Sequence, residues 1–349
     1  MLYPMPTSVA QPDGEHYLKL SSNENVLGPS PQALAALSTA LMETHRYPGE
    51  DEAILLQKLA AHIGRGLTAE HFNVGNGSSD VLRTITQTWL RPGAKAVIAA
   101  PTFALYEKLV TMFDGQPVFA PLRNYTVDLS AVLDAIDAQT RLVFICNPNN
   151  PTGTFVTHAD VGVFLAALPP QVTVVFDEAY AEFADHPTFP RMAEYVQAGY
   201  NLVVTRTFSK LHGLAGLRVG YCFGRADLIA QMRCRQFPFY CSHLAYRGAA
   251  AALDDEAFIA RSLALVRAGR ADYQRALPTL GLRQLPNQSN FIFLADLPCP
   301  ATTICAHALQ QGVMLRRTEA FNLPDNVRIT LAHPQENAQV IELLRQICR

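Results

Sequence analysis

The chain has 349 residues, 49% hydrophobic and 17% charged, a balance that excludes a disordered protein and predicts a globular one with two domains. The formal net charge of −2 gives no basic footprint for nucleic acid, and no apolar run reaches the ~18 residues that cross a bilayer. Residues 1–11 lack the pattern of a secretory signal, and the seven cysteines without metal-type spacing predict reduced thiols, no metal site and a cytoplasmic protein.

Short apolar runs alternate with helix-length amphipathic segments through the middle of the chain. This alternation predicts an α/β layer structure around a largely parallel sheet, because parallel strands are joined by helical crossovers. The predicted strands are Ala94–Ala100, Leu142–Cys146, Val172–Phe176, Leu202–Thr205 and Val219–Phe223. The predicted helices are Ser78–Leu90, Leu105–Phe113, Ala159–Leu168 and Arg191–Ala198.

The pattern changes after about Tyr240. Residues 242–276 are rich in Ala and Arg and contain few helix breakers, which predicts one long helix. The remainder predicts a smaller α+β unit with strands Asn290–Leu294, Val313–Arg317 and Val327–Leu331 and helices Thr302–Gln311 and Glu336–Ile347. We therefore expect three regions, an N-terminal arm with Pro4, Pro6 and Pro12 that packs with the small domain (1–30), a large domain (31–245), and a small C-terminal domain with a linking helix (246–349).

Lysine is scarce in this chain. Only five of the 28 basic residues are lysines, and Lys210 is the only one after residue 108. A desolvated lysine can lose its proton and form a Schiff base, which arginine cannot do. Chance retention of a lysine in an arginine-rich composition explains the same count. Lys210 follows a predicted strand, in the segment Thr207–Arg218 (TFSKLHGLAGLR), and Thr207, Ser209 and Arg218 are suited to bind a phosphate.

Three other motifs stand at strand ends, where an open α/β sheet places its ligands. Val74–Asp80 (VGNGSSD) precedes a predicted helix, and its glycines and the helix N-terminus favour a phosphate, although a plain serine cap after a glycine turn reads the same way. Residues 147–153 (NPNNPTG) form a rigid loop whose Asn150 can donate to a phenolate oxygen.

The third motif, DEAY at residues 177–180, ends an apolar strand. Asp177 is suited to keep a ring nitrogen protonated, and Tyr180 to hydrogen-bond the ring oxygen. An aspartate that caps the turn after a strand is the simpler alternative for Asp177.

In order and spacing, these motifs resemble the fold-type I pyridoxal-phosphate aminotransferases, and most closely the histidinol-phosphate aminotransferase family. The resemblance spans nearly the whole chain and includes Ser21–Pro31, Arg46-Tyr47-Pro48, Pro101-Thr102-Phe103 with Tyr106, Ser289-Asn290-Phe291 and Val327–Thr330. It implies an α/β fold with a large domain on a mostly parallel seven-stranded sheet and a smaller α+β domain. Val26, Ser79-Asp80-Val81 and Phe237–Ser242 depart from the family's usual residues.

The resemblance also implies roles for individual residues. Lys210 forms the internal aldimine with pyridoxal 5′-phosphate and then moves a proton, with Asp177 on the ring nitrogen and Asn150 and Tyr180 on the ring oxygen. Tyr106, in preference to Phe103, stacks on the ring. The residues expected at the cofactor phosphate are Gly77, Ser78, Ser79, Thr207, Ser209, Arg218 and, across the interface of a homodimer, Tyr47. The residues expected at the substrate are Asn23, Asn290, Arg316 and Arg328.

The expected activity is ping-pong transamination between histidinol phosphate and 2-oxoglutarate, with a small-molecule amino donor and a 2-oxo acid as the only partners besides a second subunit. An aminotransferase for aromatic or other specialised amino acids remains open. A decarboxylase of the threonine-phosphate type also remains open, because sequence does not reveal which substrate bond breaks. We do not expect a non-enzymatic regulator, which would need a DNA-binding domain before Ser21.

Overall fold

The computed structural model describes residues 17–348 as two units, each built around its own apolar core. The strands of the described part are β1 (Leu18–Lys19), β2 (Phe72–Gly75), β3 (Lys95–Ala100), β4 (Gln116–Arg123), β5 (Thr126–Val127), β6 (Thr140–Cys146), β7 (Thr173–Asp177), β8 (Leu202–Thr207), β9 (Gly220–Gly224), β10 (Phe291–Leu294), β11 (Val313–Met314), β12 (Arg316–Arg317) and β13 (Val327–Thr330). The α-helices are α1 (Pro31–Ala40), α2 (Asp51–Ile63), α3 (Ser78–Trp89), α4 (Leu105–Met112), α5 (Leu129–Asp134), α6 (His158–Ala166), α7 (Met192–Gln197), α8 (Ala226–Arg233), α9 (His243–Asp254), α10 (Glu256–Thr279), α11 (Ala301–Gln310) and α12 (Pro334–Ile347).

The large unit is organised by one sheet with the strand order β2-β9-β8-β7-β6-β3-β4-β5. The central pairs β8-β7, β7-β6, β6-β3 and β3-β4 are parallel, and β9 is antiparallel to both of its neighbours. The mostly parallel sheet is therefore confirmed, with the seven expected strands in place. The two-residue strand β5 extends its edge beyond the predicted seven because the chain turns back after β4.

Successive residues of the central strands enter two different apolar clusters. In β3, Val97 packs with one cluster and Ile98 with the other. Helices α2, α6 and α9 contribute to the first cluster, and α3, α4 and α8 to the second. Because helices cover both faces, the central strands are apolar along their whole length, as the sequence predicted.

The predicted long helix over 242–276 is wrong, because the structure divides it into α9 and α10 at Asp255. The Asp255 carboxylate accepts the backbone N–H of Phe258 at 3.2 Å and the hydroxyl of Ser30 at 2.6 Å. A carboxylate that caps the following turn competes with continuation of the preceding helix. The break therefore depends on a partner 225 positions away in sequence.

The small unit contains the antiparallel sheet β10-β13-β12, with α10, α11 and α12 contributing to its core. The N-terminal strand β1 pairs with β11, and Leu20 is buried in the same core. Pro4, Pro6 and Pro12 of the predicted N-terminal arm lie outside the described residues. In residues 17–348 no helix is both long and apolar enough to cross a membrane.

The domain boundary predicted after residue 245 stays a prediction. Buried residues of α9, such as Ala249 and Ala252, belong to the core of the large unit, whereas Val266 and Tyr273 of α10 belong to that of the small unit. On this packing we propose that the boundary lies at Asp255.

Candidate functional site

The candidate site lies where three neighbouring parallel strands end. Cys146 at the end of β6 is paired in register with Asp177 at the end of β7, which is paired with Thr205 in β8. The loops that follow these strands carry Asn150, Tyr180 and Lys210. Because these loops leave the same edge of the sheet, their side chains are expected to lie close together, and Nζ of Lys210 lies 5.7 Å from the centre of the Tyr180 ring.

Lys210 is partly buried, and its ammonium group has only neutral close contacts among the described residues. Its Nζ donates to the carbonyl oxygen of Ser22 at 3.1 Å and lies 5.7 Å from the centre of the Tyr180 ring. Loss of hydration, together with the positive charge of Arg328, lowers the pKa of Lys210 to about 8. An amine with this pKa is partly neutral at physiological pH and can act as a nucleophile.

The N-terminal signature segment holds the loop that carries Lys210. The side-chain amide of Asn25 donates to the carbonyl of Leu211 at 2.7 Å, and the backbone N–H of Ser30 donates to the backbone carbonyl of His212 at 3.4 Å. Gly213 has φ +68°, and a Cβ there would overlap the carbonyl oxygen of Gly28. Close backbone approach therefore requires glycine at this point and fixes where the lysine emerges.

Asp177 is a buried acid at the end of β7, only 4% exposed. The Tyr106 hydroxyl donates to its Oδ2 at 2.7 Å, and the backbone N–H of Ala179 donates to Oδ1 at 3.2 Å. Burial raises the pKa of Asp177 despite these bonds. Within residues 17–348 it forms no ion pair, and a cationic group brought to it would favour its charged form.

The structure places Tyr106 differently from the expected ring-stacking role. Its side chain is fully buried, stacked on Phe144 at 5.1 Å, and its hydroxyl is held by Asp177. Phe103, which is partly exposed and meets Tyr106 edge to face at 5.7 Å, is better placed to cover a ligand. The Tyr106 side chain extends from the first turn of α4 towards the sheet, and its hydroxyl hydrogen-bonds Asp177 there.

Polar side chains from both units meet beside the lysine. Arg328 donates through Nη1 to Oδ1 of Asn150 at 2.5 Å and through Nη2 to the carbonyl of Ser21 at 2.8 Å. The Asn23 amide donates to the Tyr180 hydroxyl at 3.0 Å. Burial raises the pKa of Tyr180 to about 12, although the charge of Arg328 opposes the shift. Tyr180 is therefore a neutral hydrogen-bonding hydroxyl at physiological pH.

Asn23 and Asn290, both predicted to bind the substrate, are joined by a hydrogen bond. The Asn290 amide donates to the Asn23 carbonyl at 3.1 Å, and the Asn23 N–H donates to the hydroxyl of Thr330 at 2.9 Å. Asn23 has φ +54°, a strained backbone conformation. Oδ1 of Asn290 is buried and has no hydrogen-bond partner within the described chain, as expected of an atom that awaits a ligand.

Arg316 and Arg328 are directly opposite each other on strands β12 and β13. Both guanidinium groups lie near the ring of Phe321, at 5.9 and 5.6 Å. Nε of Arg316 is buried without a hydrogen-bond partner in the described part of the chain. Like charges on opposing strand positions repel, so this arrangement favours an anion between or beside them.

The predicted phosphate-binding residues converge at the start of α3. Gly75 of β2 is paired with Gly220 of β9, which is paired with Thr207 of β8. Gly77 has φ +82° and precedes Ser78 and Ser79 in the first turn of α3. A helix N-terminus with free N–H groups and nearby hydroxyls is a favourable place for an anion.

The Arg218 guanidinium packs against the backbone of Gly77, at the turn before α3. A Cβ added at Gly77 would overlap the Arg218 guanidinium, so the missing side chain makes room for it. Arg218 is exposed, has φ +53° and donates to the carbonyl of Ala215 at 3.1 Å. Ser209 donates its N–H to the Thr207 hydroxyl at 3.1 Å. We refer to Gly77, Ser78, Ser79, Thr207, Ser209 and Arg218 as the anion cradle.

Tyr47 lies apart from the other predicted residues. Its side chain is 76% exposed, and its ring stacks on Phe239 at 4.4 Å. No hydrogen bond or ring contact joins it to the other predicted site residues within 17–348.

A buried ion pair behind the site was not predicted from the sequence. Arg206 donates through Nε and Nη2 to one oxygen of Glu178, at 3.0 and 2.8 Å. Glu178 adjoins Asp177 and Arg206 adjoins Thr207, so the pair ties two of the site strands together. Burial raises the pKa of Glu178, and the charge of Arg206 opposes this shift. The two adjacent acids in DEAY were the only signal for it in the sequence.

The fold and this site define a transferase of the fold-type I class, as predicted. The chain belongs to the family of aminotransferases of class I and II, which matches residues 15–344.

Relatives within this family cover most of the chain. It is 39% identical over 331 residues to a histidinol-phosphate aminotransferase of Moorella thermoacetica, covering 95% of this chain and 85% of that protein. It is 40% identical over 333 residues to histidinol-phosphate aminotransferase 2 of Pseudomonas fluorescens Pf-5, covering 95% and 88%. The crystal structure of histidinol-phosphate aminotransferase from Sinorhizobium meliloti in complex with pyridoxal-5′-phosphate superimposes with a TM-score of 0.86 at 26% identity, covering 96% of this chain and 92% of that one.

Proposed function

We propose that this chain is a pyridoxal-phosphate aminotransferase that acts on histidinol phosphate, with 2-oxoglutarate as the amino acceptor. One observation carries the proposal. A partly buried lysine with a pKa of about 8, a buried acid without an ion-pair partner in the described chain and an anion cradle lie at the ends of adjacent strands. These are the groups needed for an aldehyde, a ring nitrogen and a phosphate on one small molecule.

The residues fit pyridoxal 5′-phosphate at each of its polar groups. The anion cradle would hold the phosphate, and Lys210 the aldehyde carbon. Asp177 would pair with the ring nitrogen, which supplies the missing cation to this acid. Asn150 and the neutral hydroxyl of Tyr180 would bind the ring oxygen. Phe103 replaces Tyr106 as our candidate for the face of the ring.

When bound, the cofactor supplies an electron sink for the bond-breaking step. Asp177 would favour a protonated ring nitrogen, on which that chemistry depends. Lys210 would act as a nucleophile towards the aldehyde and, when released, as the base that takes a proton from the substrate carbon. Its desolvation matters in both roles, because a fully charged ammonium could perform neither.

The substrate proposal rests on the two arginines and on the relatives. Arg316 and Arg328 place two guanidinium groups on one face of a sheet, with a buried Nε of Arg316 in need of an acceptor. A phosphate or carboxylate on the substrate would satisfy both. The relatives with 39% and 40% identity bear the name of the enzyme for histidinol phosphate.

We also propose that the protein acts as a cytoplasmic homodimer. Exposed apolar side chains are concentrated near Tyr47 in the sequence segments 41–47 and 237–239, namely Leu41, Met42, Tyr47, Phe237 and Phe239. Apolar side chains of this size mark protein interfaces. Tyr47 would then reach the cofactor phosphate of a second copy. The seven cysteines, all free, suit a reducing compartment.

Two measurements test the proposal. Borohydride reduction of the purified protein followed by peptide mass spectrometry should find a pyridoxyl group on Lys210 and on no other lysine. In a separate, unreduced sample, addition of histidinol phosphate or of glutamate should convert the cofactor to its amine form, as followed in the visible spectrum, whereas phenylalanine should not. An unmodified peptide around Lys210 would refute the cofactor assignment. Conversion by phenylalanine alone would refute the substrate assignment and leave the cofactor in place.

A further inference from the structure

The loop 44–50 presents Tyr47 outward without a hydrogen bond to its hydroxyl in the described part of the chain. Only the ring is supported, by stacking on Phe239, with an angle of 22° between the ring planes. Both rings are exposed, Tyr47 by 76% and Phe239 by 58%. The position of the hydroxyl therefore depends on what fixes the loop.

The backbone on each side of Tyr47 is tied to one acidic residue. The N–H of Arg46 donates to the carbonyl of Glu43 at 2.9 Å. The N–H of Asp51 donates to the carbonyl of Pro48 at 3.1 Å. Glu43 and Asp51 thus bracket the loop, and any shift in either moves a residue adjacent to Tyr47.

Both acidic side chains are held by α9. Arg247 donates through Nη2 to Glu43 at 3.2 Å and through Nε to Asp51 at 2.9 Å. His243 contacts Asp51 through Nδ1 at 2.5 Å and lies 3.7 Å from Glu43 through Nε2. His243 and Arg247 are four residues apart and so project from the same face of the helix. We call Glu43, Asp51, His243 and Arg247 the loop clamp.

The clamp and the stacking ring are both anchored to elements of the anion cradle. On α9, a Cβ at Gly248 would lie 2.7 Å from Leu217, the neighbour of Arg218, so the helix packs closely against that turn. Next to Phe239, the Tyr240 hydroxyl donates to Asp80 in the first turn of α3 at 2.8 Å. The same elements that would bind a phosphate in one subunit therefore hold the loop that extends outward from it.

We propose that Arg247, assisted by His243, positions the loop 44–50 so that Tyr47 meets the cofactor phosphate in a second copy of this chain. This inference rests on the proposed function and adds a positioning residue to it. Arg247 acts through Tyr47 and touches neither cofactor nor substrate. A clamp that served folding alone would leave the affinity for the cofactor unchanged in the folded dimer.

The test is a double-mutant cycle on the holoenzyme, with the dissociation constant of pyridoxal phosphate as the readout. Tyr47→Phe should weaken cofactor binding about tenfold, the usual size of one lost charged hydrogen bond. Arg247→Met should weaken it about fivefold through misplacement of the same hydroxyl, and the double variant should be no weaker than Tyr47→Phe alone, because coupled residues are not additive. Glu43→Gln, which leaves the contacts to the buried Asp51 in place, should give a smaller loss in the same direction.

Arg275→Met is the matched control, since it removes an exposed ion pair with Asp272 on α10 and should leave cofactor affinity unchanged. Thermal unfolding and the dimer mass identify variants that fold, and Glu43→Gln serves if Arg247→Met does not. The proposal fails if the folded variants keep cofactor affinity within about twofold, or if Arg247→Met has its full effect in the Tyr47→Phe background. Borohydride labelling of Lys210 in the same variants reports separately on the proposed function.

Discussion

The residues proposed for the cofactor and those proposed for the substrate are assembled from the chain in different ways. Lys210, Asp177 and most of the anion cradle follow directly from neighbouring strands of one sheet. Asn23, Asn290, Arg316 and Arg328 come from the N-terminal segment and from the small unit. Arg316 and Arg328 are neighbours on the small sheet, whereas Asn23 is joined to the small unit by hydrogen bonds over more than 250 positions. The sheet therefore sets the positions of the residues proposed for the cofactor (the cofactor half). The positions of the residues proposed for the substrate (the substrate half), relative to the cofactor residues, depend on how the small unit packs against the large one.

The two halves nevertheless meet at three hydrogen bonds. Lys210 donates to Ser22, Asn23 donates to Tyr180, and Arg328 donates to Asn150. Each bond joins a group proposed for the cofactor to the N-terminal segment or to the small unit. Variants in one half should therefore leave the other half largely intact, except where they touch these bonds.

The largest effect is expected from Asp177→Asn, which removes the charge from the cofactor half. We expect a loss of about 10³-fold in kcat, because the ring nitrogen would no longer be held protonated. The pyridoxyl adduct at Lys210 should still form, since the lysine and the cradle are untouched. Single-turnover kinetics with histidinol phosphate and mass spectrometry of the reduced protein provide the two measurements.

Tyr106→Phe is the control for this prediction, because it removes the hydrogen bond to Asp177 but leaves the charge. It should reduce kcat only about threefold. Equal losses in the two variants would show that the geometry of the acid matters more than its charge, contrary to the proposed pairing.

Arg316→Met should affect the substrate half alone. The loss of one guanidinium from the proposed anion site should lower kcat/KM for histidinol phosphate by about 30-fold, with cofactor affinity unchanged. Arg317→Met is the control, because this neighbour points to the other face of β12 and pairs with Glu319. A result in which Arg317→Met is as damaging as Arg316→Met would remove the arginine pair from the substrate site.

Gly77→Ala tests the cradle in the cofactor half. The added methyl would overlap the Arg218 guanidinium, so cofactor affinity should fall about tenfold. About 1–3 kcal/mol of stability should also be lost, because φ +82° with ψ 162° is a backbone conformation that essentially only glycine adopts. Gly93→Ala is matched in φ, with +79° against +82°, and has no atom within 4 Å of the added Cβ. It should also lose stability but keep its cofactor affinity, as equilibrium dialysis and thermal unfolding would measure.

The sequence was sufficient to place a site residue where its motif directly follows a predicted strand. Lys210 and Asp177 follow apolar strands in sequence motifs, so their place at the sheet edge could be predicted. The orientation of Tyr106 could not, because it depends on how the first turn of α4 is rotated against Phe144. The break at Asp255 depends on Ser30, a partner that is distant in sequence.

The loop clamp was hidden for the same reason. Glu43 and Asp51 precede their partners on α9 by about two hundred positions. Charged residues on amphipathic helices are usually solvated, so their sequence alone does not distinguish a clamp from an ordinary surface. Contacts of this kind require the packed structure.

The smallest effect is expected where the two halves influence each other electrostatically. In the protein freed of cofactor, burial and the charge of Arg328 lower the pKa of Lys210 to about 8. The rate of recombination with pyridoxal phosphate should therefore rise with pH and level off above about pH 8, because only the neutral amine reacts. Arg328→Gln removes a positive charge, so the pKa of Lys210 should rise by less than about one unit and the rate at pH 7 should fall about threefold. The largest shift in this pKa that comes from a charge is due to Arg328, so Arg316→Met should move the profile less than Arg328→Gln does. A profile that stays in place in Arg328→Gln, or moves to lower pH, would show that the substrate half does not tune the lysine, and that burial alone makes Lys210 reactive.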